Sequence, residues 1–94
     1  MIEVYATESC PYCRRARALL DQKHVSYRII DVASDRTRLH EMMSRSGRRT
    51  VPQVFIADRH IGGSDDLIAA EDNGLLDELL EKETNAFADN QSKH

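Results

Sequence analysis

The sequence predicts an α/β fold, a four-stranded mixed sheet with helices on both faces. Three observations carry this. Short runs with alternating apolar residues occur at 1–6, 25–31 and 51–57, the period of half-buried strands. Segments with apolar residues at helical spacing lie between and after them. The connections then set directions. A helix between the first two strands makes them parallel, with a right-handed crossover, whereas a two-residue link at Asp58-Arg59 makes the last pair antiparallel.

The elements follow in order. Ile2 and Val4 alternate with Glu3 and Tyr5 in the first strand, which stops at the turn-forming Thr7-Glu8-Ser9. From Pro11 a helix takes over, with Tyr12, Ala16, Leu19 and Leu20 on its apolar face; it closes at Gln22-Lys23-His24, where basic groups suit the dipole. A second strand is expected over Val25–Asp31. Ser34 or Asp35 can cap a second helix with a Leu39, Met42, Met43 stripe, ended by Gly47. The third strand, Val51–Ala57, carries Pro52 near its start, where a sheet tolerates proline. A brief fourth strand spans His60-Ile61-Gly62. Ser64 is the expected N-cap of a third helix reaching about Glu71, with Asp65 and Asp66 in its first turn. Asn73-Gly74 turns the chain into a last helix bearing Leu75, Leu76, Leu79 and Leu80. The expected domain is 1–83, with a polar, frayed tail over 84–94.

Ninety-four residues suffice for one domain and one modest core, burying roughly 60–68% of the unfolded surface. No apolar run approaches the roughly 18 residues of a membrane span, and Met1–Thr7 lacks the basic and apolar regions of a secretory signal, so a cytoplasmic location is expected. The net charge of −3 is unevenly spread. Residues 1–60 carry eleven Lys+Arg against seven Asp+Glu (+4), and residues 61–94 carry two against nine (−7). An anionic partner for the first part is one reading, and a solvated surface the other. Nucleic acid is a poor fit, since no basic run exceeds two residues and aromatics are 5%.

Both cysteines fall within four residues, at Cys10-Pro11-Tyr12-Cys13, where the first strand ends and the first helix begins. Proline suits the first helical turn, because its missing N–H would have no intrahelical partner there. Cys10 is then the N-cap, with its sulfur facing backbone N–H groups at the positive end of the dipole, an environment that favours the thiolate. Cys13, one turn on and on the same face, can form a disulfide with it; being deeper, it should resolve rather than initiate. Half of a zinc site is the competing reading of such a pair. Zinc needs four ligands, however, and His24, His40, His60 and His94 show no paired spacing. The histidines are expected at the surface, and no metal site is expected.

With these residues in view, the chain resembles the glutaredoxins, of the short bacterial dithiol type. Cys10-Pro11-Tyr12-Cys13, Thr50-Val51-Pro52 with Gln53, and Gly62-Gly63-Ser64-Asp65-Asp66 carry the resemblance, in order and on the expected elements, over about residues 1–82. It implies a thioredoxin fold and a glutathione-dependent thiol–disulfide oxidoreductase that reduces glutathione mixed disulfides and protein disulfides. No tightly bound cofactor is implied; glutathione is the co-substrate. The partners implied are glutathione and glutathionylated or disulfide-containing proteins. No oligomer seam is evident in the sequence, so a monomer is expected.

The resemblance also implies roles. Cys10 and Cys13 are the catalytic pair, and Tyr12 flanks the substrate's disulfide. Pro52 is cis, leaving the Val51 backbone to pair with glutathione's cysteinyl unit as an added strand, with Thr50 beside it. Gly63, Ser64 and Asp65 receive the γ-glutamyl end, Asp65 facing its ammonium. The lysine that many members carry three residues before the first active cysteine is Thr7 here. Arg49 is the candidate to replace it at the glycyl carboxylate, with Arg38 and Arg14 behind it. Where some relatives have an additional cysteine, this chain has Ser64.

Two other readings remain open at this point. One is a related enzyme reduced by thioredoxin reductase, against which the Gly-Gly-Ser-Asp-Asp motif speaks. The other is a dimer holding a [2Fe–2S] cluster through Cys10 and two glutathiones, against which the stiffening Pro11 speaks.

Overall fold

The computed structural model describes residues 1–82. The expected tail over 84–94 lies outside them. In chain order the elements are β1 (Ile2–Ala6), α1 (Pro11–Gln22), β2 (Arg28–Asp31), α2 (Arg36–Ser46), β3 (Gln53–Ile56), β4 (Arg59–Gly62) and α3 (Ser64–Asp72). A further helix, α4, occupies 75–82.

The strands form one mixed sheet in the order β2-β1-β3-β4. β1 runs parallel to β2 and antiparallel to β3, and β4 returns antiparallel to β3. The period-two pattern of the central strands divides the core between two faces. Ile2, Val4, Val54 and Ile56 meet Cys13, Ala16 and Leu20 of α1, Leu67 and Ala70 of α3, and Leu76 and Leu80 of α4. Tyr5 and Phe55 point the other way, onto Met42 of α2 with Ile30 and Val32. Leu20, Leu67 and Leu76 are fully buried, so truncating any of them to alanine costs about 2–5 kcal/mol.

The second face also holds a polar cluster. Arg45 stacks 4.0 Å from the Phe55 ring centroid and donates to Glu3 and to the Tyr5 hydroxyl, which donates in turn to Glu41. The guanidinium thereby covers an aromatic surface while keeping its charge paired.

Several expectations need correcting. β2 starts at Arg28 rather than Val25, because its pairing with β1 begins at Glu3↔Arg28; Val25 and Tyr27 instead pack beside the helical core. Tyr12 does not join the apolar face of α1: it is 54% exposed, and Cys13 occupies the core position one step on, in register with Ala16 and Leu20. The hairpin turn is Ala57-Asp58, not Asp58-Arg59. Both turn residues have positive φ (51° and 68°), the conformation whose twist suits a two-residue hairpin. β3 is correspondingly shorter at both ends than 51–57.

The N-cap of α3 is Gly63, with Ser64 already helical. Asp66 explains the shift: its carboxylate reaches back to accept from Gly63 N–H at 2.9 Å, so a side chain inside the first turn does the capping. At α2 the expected alternatives resolve to Asp35, which accepts from Arg38 N–H, and Gly47 ends that helix at φ 71°.

Candidate functional site

The site lies where β1, β3 and β4 deliver their loops toward the N-termini of α1 and α3. Cys10 is the N-cap of α1, in extended conformation, and Pro11 is the first helical residue. The Cys10 sulfur accepts from Cys13 N–H at 3.3 Å and lies 3.8 Å from the Val51 carbonyl oxygen, to which the thiol donates. Ionising the thiol removes the second interaction and strengthens the first, since an N–H bond to an anion is charge-assisted. Cys10 is half-buried and Cys13 is 1% exposed. Burial, reinforced by the neighbouring Cys10, pushes the Cys13 thiol up to about 11. The two sulfurs are therefore unequal: the outer one is accessible, and the inner one holds its proton at neutral pH.

Beside Cys10 opens a cleft of about 220 Å³, walled by Tyr12, Thr50, Val51, Pro52, Gly63, Ser64 and Asp65 together with Arg48 and Asp66. The Val51–Pro52 peptide is cis. Val51 N–H has no acceptor among the described residues. The two loops lie close here: a Cβ on Gly63 would sit in van der Waals contact, 3.4 Å from the Pro52 carbonyl oxygen. Gly62 has φ 122°, and a Cβ on it would lie 2.3 Å from Asp66 Oδ2.

The two acidic residues of α3's first turn differ sharply. Asp66 accepts from Arg48 at 2.7 Å and from Gly63 N–H, and these bonds hold its carboxyl below the usual range. Asp65 is exposed and has no ion-pair partner among the described residues. The Ser64 hydroxyl is buried in the cleft wall without a hydrogen-bond partner.

Arg49 is not among the residues lining this cleft; it is exposed, and its neighbour Arg48 stands there instead. Arg38 is paired with Glu41 on α2. Thr7 and Arg14 line a different cleft, together with Cys13, Arg17 and Asp31. One residue of interest escaped the sequence reading. His60, expected at the surface, is half-buried against Phe55 and bonded to Gln53. Its alternation against Ile61 in a short strand was the available signal, and four residues are too few to orient it. Among the described residues no three His, Cys, Asp or Glu side chains gather as metal ligands, and no helix is long and apolar enough to cross a membrane.

The glutaredoxin family profile matches residues 2–61. The chain is 51% identical to glutaredoxin 3 of Escherichia coli K12 over 79 residues, covering 84% of this chain and 95% of that protein. It is similar in structure to a glutaredoxin from Brucella melitensis (TM-score 0.74, 48% identity, covering 84% of this chain and 86% of that one). It also superposes on a buckwheat glutaredoxin–glutathione complex (TM-score 0.80, 31% identity, covering 86% of this chain and 76% of that one). With a thioredoxin-type sheet and an asymmetric cysteine pair at a helix N-terminus, the chain belongs to the glutaredoxin family of thiol–disulfide oxidoreductases.

Proposed function

We propose that this chain is a glutathione-dependent oxidoreductase that reduces glutathione mixed disulfides and protein disulfides through Cys10 and Cys13. The observation that carries the reading is the cleft beside the Cys10 sulfur, which offers an unpaired backbone N–H at Val51 and a free carboxylate at Asp65. Those groups match an extended peptide with an ammonium at one end. The glutathione bound to the buckwheat relative supports the same assignment.

The Cys10 thiolate attacks the glutathione sulfur of a protein–glutathione disulfide. A Cys10–glutathione disulfide forms, and the protein leaves as a thiolate that takes a proton from water. A second glutathione thiolate then attacks the bound glutathione sulfur, releasing oxidised glutathione and restoring the Cys10 thiolate. With a protein disulfide, the Cys10 thiolate attacks one of its sulfurs, forming a mixed disulfide while the other protein sulfur leaves as a thiolate that takes a proton from water. Cys13 then attacks the Cys10 sulfur, its proton passing to the departing protein thiolate. Two glutathiones reopen the Cys10–Cys13 bond and leave joined as oxidised glutathione. In the reduced protein, burial and the neighbouring Cys10 keep the Cys13 thiol protonated, so it does not compete with Cys10 for the first attack.

Arg48 stands at the cleft as the cation for a substrate carboxylate, its charge shared with Asp66, while Arg49 lies outside it. Tyr12, exposed at the rim with Arg15 over its ring, flanks the incoming disulfide. The reaction belongs in the cytoplasm, where glutathione keeps thiols reduced. The deciding experiment is reduction of a glutathione mixed disulfide by the purified protein, coupled to glutathione reductase. Reduction of the oxidised protein by thioredoxin reductase and not by glutathione would overturn the reading.

A further inference from the structure

Behind the cleft, a chain of hydrogen bonds leads away from the Thr50–Val51 peptide into the sheet. Gln53 is fully buried. Its Nε2 donates to the Thr50 carbonyl oxygen at 3.0 Å and to Thr50 Oγ1 at 3.3 Å, and its Oε1 lies 2.7 Å from His60 Nε2. A carbonyl oxygen only accepts, so the Gln53 NH2 must face Thr50 and its oxygen must face His60. His60 must then carry a proton on Nε2, since the other neutral tautomer would set two acceptors against each other. The ring is held in place by Phe55, 4.9 Å away between centroids.

The consequence reaches the cleft through peptide planarity. In a trans peptide the C=O and N–H point in opposite directions. The only cis bond among the described residues is Val51–Pro52, so Thr50–Val51 is trans. Turning the Thr50 carbonyl inward, onto Gln53, turns Val51 N–H outward.

We propose that His60 is a positioning residue: through Gln53 it locks the Thr50–Val51 peptide so that Val51 N–H is presented to the substrate backbone. This deepens, and rests on, the glutathione reading of the cleft. Losing the His60 bond frees Gln53 to rotate and lets the peptide plane rock, so the substrate must order it on binding. The effect falls on substrate binding and spares the chemistry at Cys10.

Three proteins test this: the wild type, His60→Phe, which keeps an aromatic ring on Phe55, and His60→Gln, whose Nε2 reproduces the donor. Long-range 1H–15N spectra of the wild type at about pH 7.5 should show His60 protonated on Nε2 and bare on Nδ1. The opposite tautomer overturns the relay whatever the activity. In His60→Phe, KM for a glutathione mixed disulfide should rise about tenfold with kcat within about twofold, and Val51 amide exchange should quicken; His60→Gln should restore both. An unchanged KM and an unchanged Val51 amide in His60→Phe would overturn the proposal. A wild type that does not turn over the mixed disulfide sinks the glutathione reading alone, because the tautomer and the Val51 amide still decide the relay.

Discussion

The backbone N–H of Cys13 points at the sulfur of Cys10 from 3.3 Å, so the second cysteine serves the first before its own sulfur takes part. This contact belongs to the backbone and survives replacement of the Cys13 side chain. The two cysteines should therefore separate cleanly by mutation. Cys10→Ser should abolish all reductase activity. Cys13→Ser should keep reduction of glutathione mixed disulfides while losing reduction of protein disulfides. Parallel assays on the two substrate types check this, and activity retained in Cys10→Ser would remove it as the nucleophile.

The buried Cys13 thiol, pushed up to about 11, should stay unreactive near neutrality. Iodoacetamide at about pH 7 should alkylate Cys10 alone in the reduced protein. Mass mapping of the labelled peptide reads the outcome, and comparable labelling at both positions would contradict the asymmetry described above.

Asp65 and Asp66 are adjacent in sequence but engaged differently, so equal substitutions should have unequal effects. Asp65→Asn should leave stability within about 0.5 kcal/mol and raise KM for a glutathione mixed disulfide severalfold. Asp66→Asn weakens the reach back to Gly63 N–H and the pair with Arg48, and should cost about 1 kcal/mol in urea unfolding. Gly62→Ala should cost more, about 1–3 kcal/mol, because its φ of 122° disfavours a side chain and the new Cβ meets Asp66.

Arg48 and Arg49 offer a similar contrast. Arg48→Ala should raise KM for the glutathione substrate about threefold to tenfold, and Arg49→Ala should leave it within about twofold. Steady-state kinetics at low salt would show it; the reverse order would place the carboxylate-binding cation outside the cleft.

His60 makes stability depend on pH in a defined direction. Burial, aided by the charges of Arg48 and Arg45 and opposed by Asp66, holds its imidazole below the ordinary 6.5. As pH falls through about 6.5 the unfolded chain takes up this proton before the folded one. Stability should therefore decline from there down to the folded value, level off below it, and show no His60 contribution above about 6.5. Urea titrations of wild type and His60→Gln between about pH 5 and 8 should diverge only on the acidic side. Parallel profiles would remove the effect.

Much of this molecule follows from short-range rules. The period-two runs assign Val4 and Tyr5, or Val54 and Phe55, to opposite faces without any knowledge of what covers them. Gly47 ends α2 because the left-handed conformation costs glycine nothing. Cys10-Pro11 at a strand-to-helix junction already implies an N-cap sulfur and an unequal pair. These rules act within one or two turns of chain, and the sequence contains everything they need.

What the sequence left open is set by contacts between distant segments. Tyr12 and Cys13 compete for one helical face, and the covering sheet chooses the cysteine. Whether Arg48 or Arg49 enters the cleft depends on Asp66, eighteen residues on from Arg48. The Cys10 sulfur meets the Val51 carbonyl across a separation of 41 residues. His60 reaches Thr50 only because the β3–β4 hairpin folds it back beside Gln53. Local pattern thus determined the elements and the identity of the reactive pair. Only the assembled sheet, by joining loops that no periodicity links, decided which cations, carboxylates and backbone groups face that pair.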